Sequence, residues 1–239
     1  NPNAEAPYDT WEKAATTLAD ALASLESGMT LHVRNGTYAI TGAFTLDSGK
    51  AIVSENGPEK TIFQSKSFST PAITVKGEGS RLSGVTVKGL TAPGNKFGGV
   101  ELYSGGEISN CVFLNANHVN AAPGTMRMYG GLLADCLFQN SQRGSGAGAT
   151  SSTALSISAG TMERCRVIDS WGDGGSVKYG AVYVYGTGVV RNTVVAGSCQ
   201  PGYTGFYLGG SGRVESCTVA NNESTTTSQN AAVYIASLT

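Results

Sequence analysis

The chain has 239 residues, a formal net charge of −1 and only 14% Asp, Glu, Lys and Arg, against about 25% in typical soluble domains. No basic run or patch marks a nucleic-acid or anionic-membrane partner, and no apolar stretch reaches the ~18 residues of a membrane-spanning helix. Glycine stands at 33 residues, roughly twice its usual share, which with abundant Ser and Thr fits a turn-rich β structure.

From the N-terminus, the segment YDTWEKAATTLADALASLESG (8–28) places Trp11, Ala14, Ala15, Leu18, Leu22 and Leu25 on one helical face. It opens with Asp9 and Glu12 at capping-box spacing and closes on Gly28, so it predicts one amphipathic helix over 9–27. Acids outnumber lysine on its polar face, which argues against a role on a membrane surface. Residues 1–28 are expected to form a cap over the structure that follows, because the first unit of a repeat array exposes its core and strand edges. MTLHVRNGTYAI (29–40) and AIVSENGPEKTIFQS (51–65) then read as the first, irregular coils.

From residue 82 the sequence repeats. LSGVTVKG (82–89), ISNCVFLN (108–115), LADCLFQN (133–140), MERCRVID (162–169), VVRNTVVAG (189–197) and VESCTVAN (214–221) align in four columns. The first is aliphatic: Leu82, Ile108, Leu133, Met162, Val190, Val214. The second is small and mostly sulfur-bearing: Val85, Cys111, Cys136, Cys165, Thr193, Cys217. The third is apolar: Val87, Phe113, Phe138, Val167, Val195, Val219. The fourth is Gly89, Asn115, Asn140, Asp169, Gly197, Asn221. Successive members of the cysteine column lie 26, 25, 29, 28 and 24 residues apart, a period that places the chain among solenoids with one supersecondary unit per repeat.

Period-two alternation from the cysteine to the apolar column marks a strand buried on one face. A second alternating run precedes each unit: AITV, GVELY, MRMY, ALSIS, AVYVY, GFYLG and AAVYI. The expected fold is therefore all-β, a right-handed, single-stranded parallel β-helix of about eight coils with an N-terminal capping helix, the handedness following from that of parallel crossovers. Residues 29–239 form the coils, the last one incomplete.

Stacked in register about 4.8 Å apart, the cysteines make an inward ladder of small, soft side chains. Thr193 fits that ladder by volume, and a serine substituted for a cysteine would leave a poorly satisfied hydroxyl. Cys111, Cys136, Cys165 and Cys217 are expected to be free, buried thiols and Cys199 an exposed loop thiol. The Asn column belongs at tight corners where left-handed backbone is tolerated. No metal is expected: no C-x-x-C occurs, and His32 and His118 lie far from any cysteine in sequence.

The run NAEAPYDTWEKAATTLADALASLESGMTLHVRNGTYAI, then SENGPEKTIF, then coils of the ISNCVF and VESCTVANN type, resembles the right-handed parallel β-helix proteins of the pectin-lyase-like superfamily. The closest likeness is to large secreted or surface-located bacterial members, over nearly the whole chain. The resemblance implies an extracellular or cell-surface setting and a bacterial source. It is far less specific for activity, since the superfamily holds polysaccharide lyases, glycoside hydrolases and adhesins.

Hydrolases of the superfamily need two or three clustered carboxylates. Lyases need a base and neutralisation of a uronate, in many cases by calcium held on several acids. The outward column of the first strand reads Thr74, Glu101, Arg127, Ser156, Tyr183, Tyr207, Tyr234, so Glu101 stands alone beside Arg127, the pattern of a cross-strand ion pair. Asp173 in WGDGG is the other acid near this face, and a lone Asp among glycines is a turn residue. If the protein is an enzyme, Glu101, Arg127 and Asp173 are its candidates, as a lyase or hydrolase acting on an acidic polysaccharide. No cofactor is expected, and no acidic cluster supports calcium.

The same face is aromatic. Tyr183, Tyr207 and Tyr234 form one outward column, Tyr103, Tyr129 and Tyr185 belong to the next, and loops carrying His118, Trp171, Tyr179 and Tyr203 leave from its edge. Flat rings with hydroxyl handles suit sugars. The preferred reading is a non-catalytic surface module, glycan-binding or stalk-like, with Trp171 and the six column tyrosines in contact with a polysaccharide or cell-surface glycan. At the C-terminus, NAAVYIASLT begins a coil with Val233 and Ile235 inward and stops before the second strand. The expectation is an open end that continues into further domains or stacks on another subunit.

Overall fold

The computed structural model describes residues 1–94, 96–118, 124–144, 152–172, 179–226 and 232–236. Every turn of the chain advances one strand spacing and lays down up to four short strands, called legs one to four. Around residue 110 the legs are Val100–Leu102, Glu107–Ser109, Val112–Leu114 and Asn117–His118. Legs one and two join in a 14-stranded sheet, leg three builds an eight-stranded sheet and leg four a six-stranded one. Strand pairs are parallel with matched registers, as in Val112↔Leu137 and Phe113↔Phe138, and the result is a parallel β-solenoid of about seven turns. No described helix is long and apolar enough to cross a membrane.

One residue in two faces the axis, so side chains of equivalent position stack into ladders. Leg one buries Ile73, Val100, Met126, Leu155, Val182 and Phe206; leg two buries Ile52, Leu82, Ile108, Leu133, Met162 and Val190. Leg three buries Phe63, Val87, Phe113, Phe138, Val167 and Val195. The interior beside leg four is polar instead: Thr153 Oγ1, Ser170 Oγ, Ser198 Oγ and Gln200 Oε1 are buried there with no hydrogen-bond partner.

Leg three is bounded by two left-handed corners five residues apart. The predicted Asn column is the second of them, with Asn115, Asn140, Asp169 and Asn221 at φ 53 to 56°. The first, unforeseen from the repeat alignment, comprises Asn110, Asp135, Arg164, Asn192 and Ser216 at φ 49 to 55°. The second corner ties coils together where Asn140 Nδ2 donates to Asn115 Oδ1 at 3.1 Å.

The cysteine column follows the first corner, and its chemistry is more specific than volume. The Cys111 amide donates to Cys136 Sγ at 3.4 Å and the Cys136 amide to Cys165 Sγ at 3.4 Å, while the Cys165 amide donates to Thr193 Oγ1 at 3.3 Å. Each thiol or hydroxyl donates in turn to the carbonyl two residues earlier, at 3.0 to 3.2 Å. The ladder thus supplies the acceptor that a buried corner amide needs, and a hydroxyl does the same work, so the expected penalty for serine is corrected: its hydroxyl would be satisfied. All five cysteines are free. Cys111, Cys136 and Cys165 are buried, but Cys217 is half-buried, as is Cys199. Among the described residues the strand beyond Cys217, Val233–Ile235, covers leg one and not this corner.

The helix differs most from expectation. It spans only Leu18–Ala23 and is N-capped by Thr17, whose Oγ1 accepts from the Asp20 amide at 3.1 Å and donates to Asp20 Oδ2 at 2.6 Å. Asp9 and Glu12 do not cap it. The reason is local: Thr17, an N-cap residue by chemistry, offers a shorter start that the repeat of apolar spacing from Trp11 did not reveal. Leu18 and Leu25 still enter the core cluster, with Leu22 packed against it. At the other end Val233 and Ile235 extend the inward columns, yet are 45% and 56% exposed.

Candidate functional site: a tyrosine-rich sheet face

Parallel in-register pairing puts the outward residues of leg one in a single row along the solenoid: Thr45, Thr74, Glu101, Arg127, Ser156, Tyr183, Tyr207 and Tyr234. Two residues further on, a second row holds Tyr103, Tyr129, Ser158, Tyr185 and Gly209. A third row lies three residues before each strand: Phe97, Ser152, Tyr179 and Tyr203. This last row supplies Tyr179 and Tyr203, which the sequence pattern places in variable loops. Their constant distance from the strand start was the available signal.

Toward the N-terminal side the face is charged. Arg127 Nη1 lies 3.6 Å from Glu101 Oε1, the Tyr103 hydroxyl donates to Glu101 Oε2 at 2.8 Å, and the Arg127 guanidinium sits 4.2 Å above the Phe97 ring. Tyr103 stacks on Tyr129 with centroids 4.9 Å apart. Burial, and then the bond to Glu101, push the Tyr103 phenol up to about 12. Glu101 therefore has both oxygens committed, one to a cation and one to a phenol, which is the arrangement of a structural ion pair on a sheet. Asp173 lies outside the described residues. Among the described residues no three His, Cys, Asp or Glu side chains converge.

His118 is a core residue. Its Nε2 accepts from the Gly98 amide at 3.1 Å and its Nδ1 lies 2.7 Å from the Gly124 carbonyl, the pattern of a neutral ring protonated at Nδ1. Burial holds it down at about 4. It packs on Phe97 with centroids 5.3 Å apart and so supports the ring under Arg127.

Beyond a coil of serines, Ser152, Ser156 and Ser158, the face becomes a tyrosine block. Tyr179 stacks on Tyr183 at 4.4 Å and Tyr183 on Tyr185 at 4.5 Å, three rings in one coil. Tyr207 in the next coil meets Tyr179 and Tyr183 edge to face at 4.5 and 5.5 Å. Tyr203 stacks on Tyr234 at 4.1 Å, and Tyr207 tilts against Tyr234 at 4.9 Å. Burial raises the phenols of Tyr183, Tyr203 and Tyr207.

The column tyrosines are thus brought together, but not equally. Tyr183 has neighbours stacked on both faces, so it is a packed member and not a platform open to solvent. Tyr129 and Tyr185 each have one stacked neighbour, and Tyr129 is 36% exposed. Trp171, 42% exposed, stands apart on leg four, paired with Gln142 and Cys199.

A cleft of about 800 Å³ lies elsewhere, between the N-terminal segment and the first coil. Arg34 stacks 4.0 Å over Trp11 and approaches Glu55 at 3.5 Å, and Tyr38 donates to the Arg34 carbonyl at 3.1 Å. These contacts make it the seam between cap and solenoid. The chain matches no model of a known protein family, no curated protein and no solved structure.

Proposed function

We propose that this chain is a non-catalytic, extracellular or cell-surface module of the pectin-lyase-like kind that binds glycan through the outer face of leg one. One observation carries the reading. Eight of the ten tyrosines, Tyr103, Tyr129, Tyr179, Tyr183, Tyr185, Tyr203, Tyr207 and Tyr234, lie in two ring-contact groups on this single face. Such a surface offers flat apolar rings and hydroxyls together, the combination that sugar rings take.

Binding to immobilised polysaccharides tests it: the wild-type chain is retained, and Tyr129→Ala with Tyr185→Ala, which remove the rings with an open face, abolish retention while the fold persists. Equal retention by the double variant would return the tyrosines to a purely structural role. The alternative, a lyase or hydrolase on an acidic polysaccharide, is supported by the likeness in sequence and by Glu101 and Arg127 on this face. Turnover of a uronate polymer, lost in Glu101→Gln, would establish it in place of the binding module.

A further inference from the structure

We propose that the ligand of the tyrosine block is a neutral polysaccharide, not an acidic one; this rests on the glycan-binding reading above and narrows it. The charge pattern along the face carries the argument. On the N-terminal side the two outward rows hold Asp47, Lys76, Glu101 and Arg127, the last two paired with each other. From Ser156 onward the same rows read Ser156, Ser158, Tyr183, Tyr185, Tyr207, Gly209, Tyr234 and Ala236, with Tyr179 and Tyr203 at the flank. Over these coils the described residues of these three leg-one rows include no Asp, Glu, Lys or Arg; the charges of the same sheet, Glu163, Arg191, Arg213 and Glu215, stand on leg two.

A uronate polymer presents one carboxylate per sugar, and taking carboxylates out of water without a cation or a fan of amide donors is costly. The block offers phenols instead, and those in its interior stay protonated, because burial raises them further above neutral pH. The partner that this surface fits has hydroxyl groups to exchange hydrogen bonds with phenols and C–H faces to lie on the rings. Neutral pyranose polymers have both. Lys178, next to Tyr179 in sequence, lies outside the described residues, as does Asp173, so the test includes a Lys178 variant.

Affinity electrophoresis of the full chain against an unsubstituted β-glucan, a galactomannan, polygalacturonate and alginate decides the matter, run at low salt and again at about 0.5 M, where charge interactions are screened within a few ångströms. The expected result is retardation by at least one neutral polymer, unchanged within about twofold by salt, and none by the two uronates. Lys178→Gln leaves that retardation in place. Ser156→Arg, which puts a cation at the edge of the block, yields no gain on the neutral polymer.

Preferential retardation by a uronate polymer, lost at high salt or in Lys178→Gln, would overturn the neutral class and leave the glycan-binding reading standing. Absence of retardation by all four polymers, with the folded state verified by circular dichroism, would overturn both.

Discussion

Two ring stacks bridge the same pair of turns. Inside, Phe113 lies on Phe138 with centroids 4.8 Å apart and planes 12° from parallel; outside, Tyr103 lies on Tyr129 at 4.9 Å and 27°. Both spacings are those of parallel strands in register, about 4.8 Å, so the stacking itself is a by-product of the coil rise. What separates them is water: Phe138 is fully buried, whereas Tyr129 is 36% exposed. A ladder of like residues in a solenoid is therefore no sign of purpose by itself. Inside, the fold accounts for the ring; outside, the fold tolerates it, and its presence calls for another explanation.

The comparison is sharpest where the inside ring is removed. Phe138→Ala should cost about 3–5 kcal/mol, because it opens a cavity in a narrow core that has few ways to collapse. Urea denaturation reads this directly, and a loss below about 1 kcal/mol would mean that the inner ladder is as dispensable as the outer.

Acid gives the next effect, through His118 under the charged end of the outer face. Its folded value of about 4 lies below the ordinary 6.5, so the native state holds the neutral ring. The stability this contributes is present above about pH 6.5 and is lost as pH falls toward 4, up to about 3 kcal/mol. Denaturation midpoints across that range should show the slope in the wild type and a flatter profile in His118→Gln.

The cysteine ladder separates volume from hydrogen bonding. Cys136→Val keeps the size but strips the acceptor from the Cys111 amide, at about 1–3 kcal/mol. Cys136→Thr should lie within about 1 kcal/mol of the wild type, because Thr193 already fills this slot in another coil. In labelling without denaturant, Cys199 and Cys217 should react while Cys111, Cys136 and Cys165 stay protected, the Cys136 thiol being pushed up by burial as well.

On the outer face, Tyr183→Ala removes a ring stacked on both sides and should cost about 1–2 kcal/mol. Tyr129→Ala, losing one stacked contact at an exposed position, should cost less than about 1 kcal/mol while weakening glycan retention about three- to tenfold. If both variants lost stability equally and neither lost retention, the outer stacks would be structural in the same sense as the inner ones.

Much of this was legible in the residues. The columns from Leu82, Val85 and Val87 have the burial anticipated as far as Val190, Thr193 and Val195, because alternation is a property of one strand and repetition is a property of equal coils; in the next coil Val214, Cys217 and Val219 are only half-buried. The second corner was legible for a similar reason: Asn and Asp tolerate a left-handed backbone that other residues resist. Its twin, at Asn110, Asp135, Arg164, Asn192 and Ser216, was obscured because Arg164 and Ser216 carry no such signature, and only their neighbours impose the turn. The helix was overextended for the opposite reason. Trp11, Ala14 and Ala15 have helical spacing, yet the start belongs to Thr17 and Asp20, and Trp11 packs against Arg34 of the first coil.

By itself the sequence determined the solenoid, its period, the inward ladders and the row of tyrosines along leg one, since each depends on backbone geometry that recurs coil by coil. The tertiary structure alone decided which amide each thiol receives, that Tyr103 joins Arg127 in holding Glu101, and that Tyr183 is enclosed by Tyr179 and Tyr185. Those contacts cross between coils or arrive from the segments between legs, where the path of the chain is set by packing and not by a local repeat.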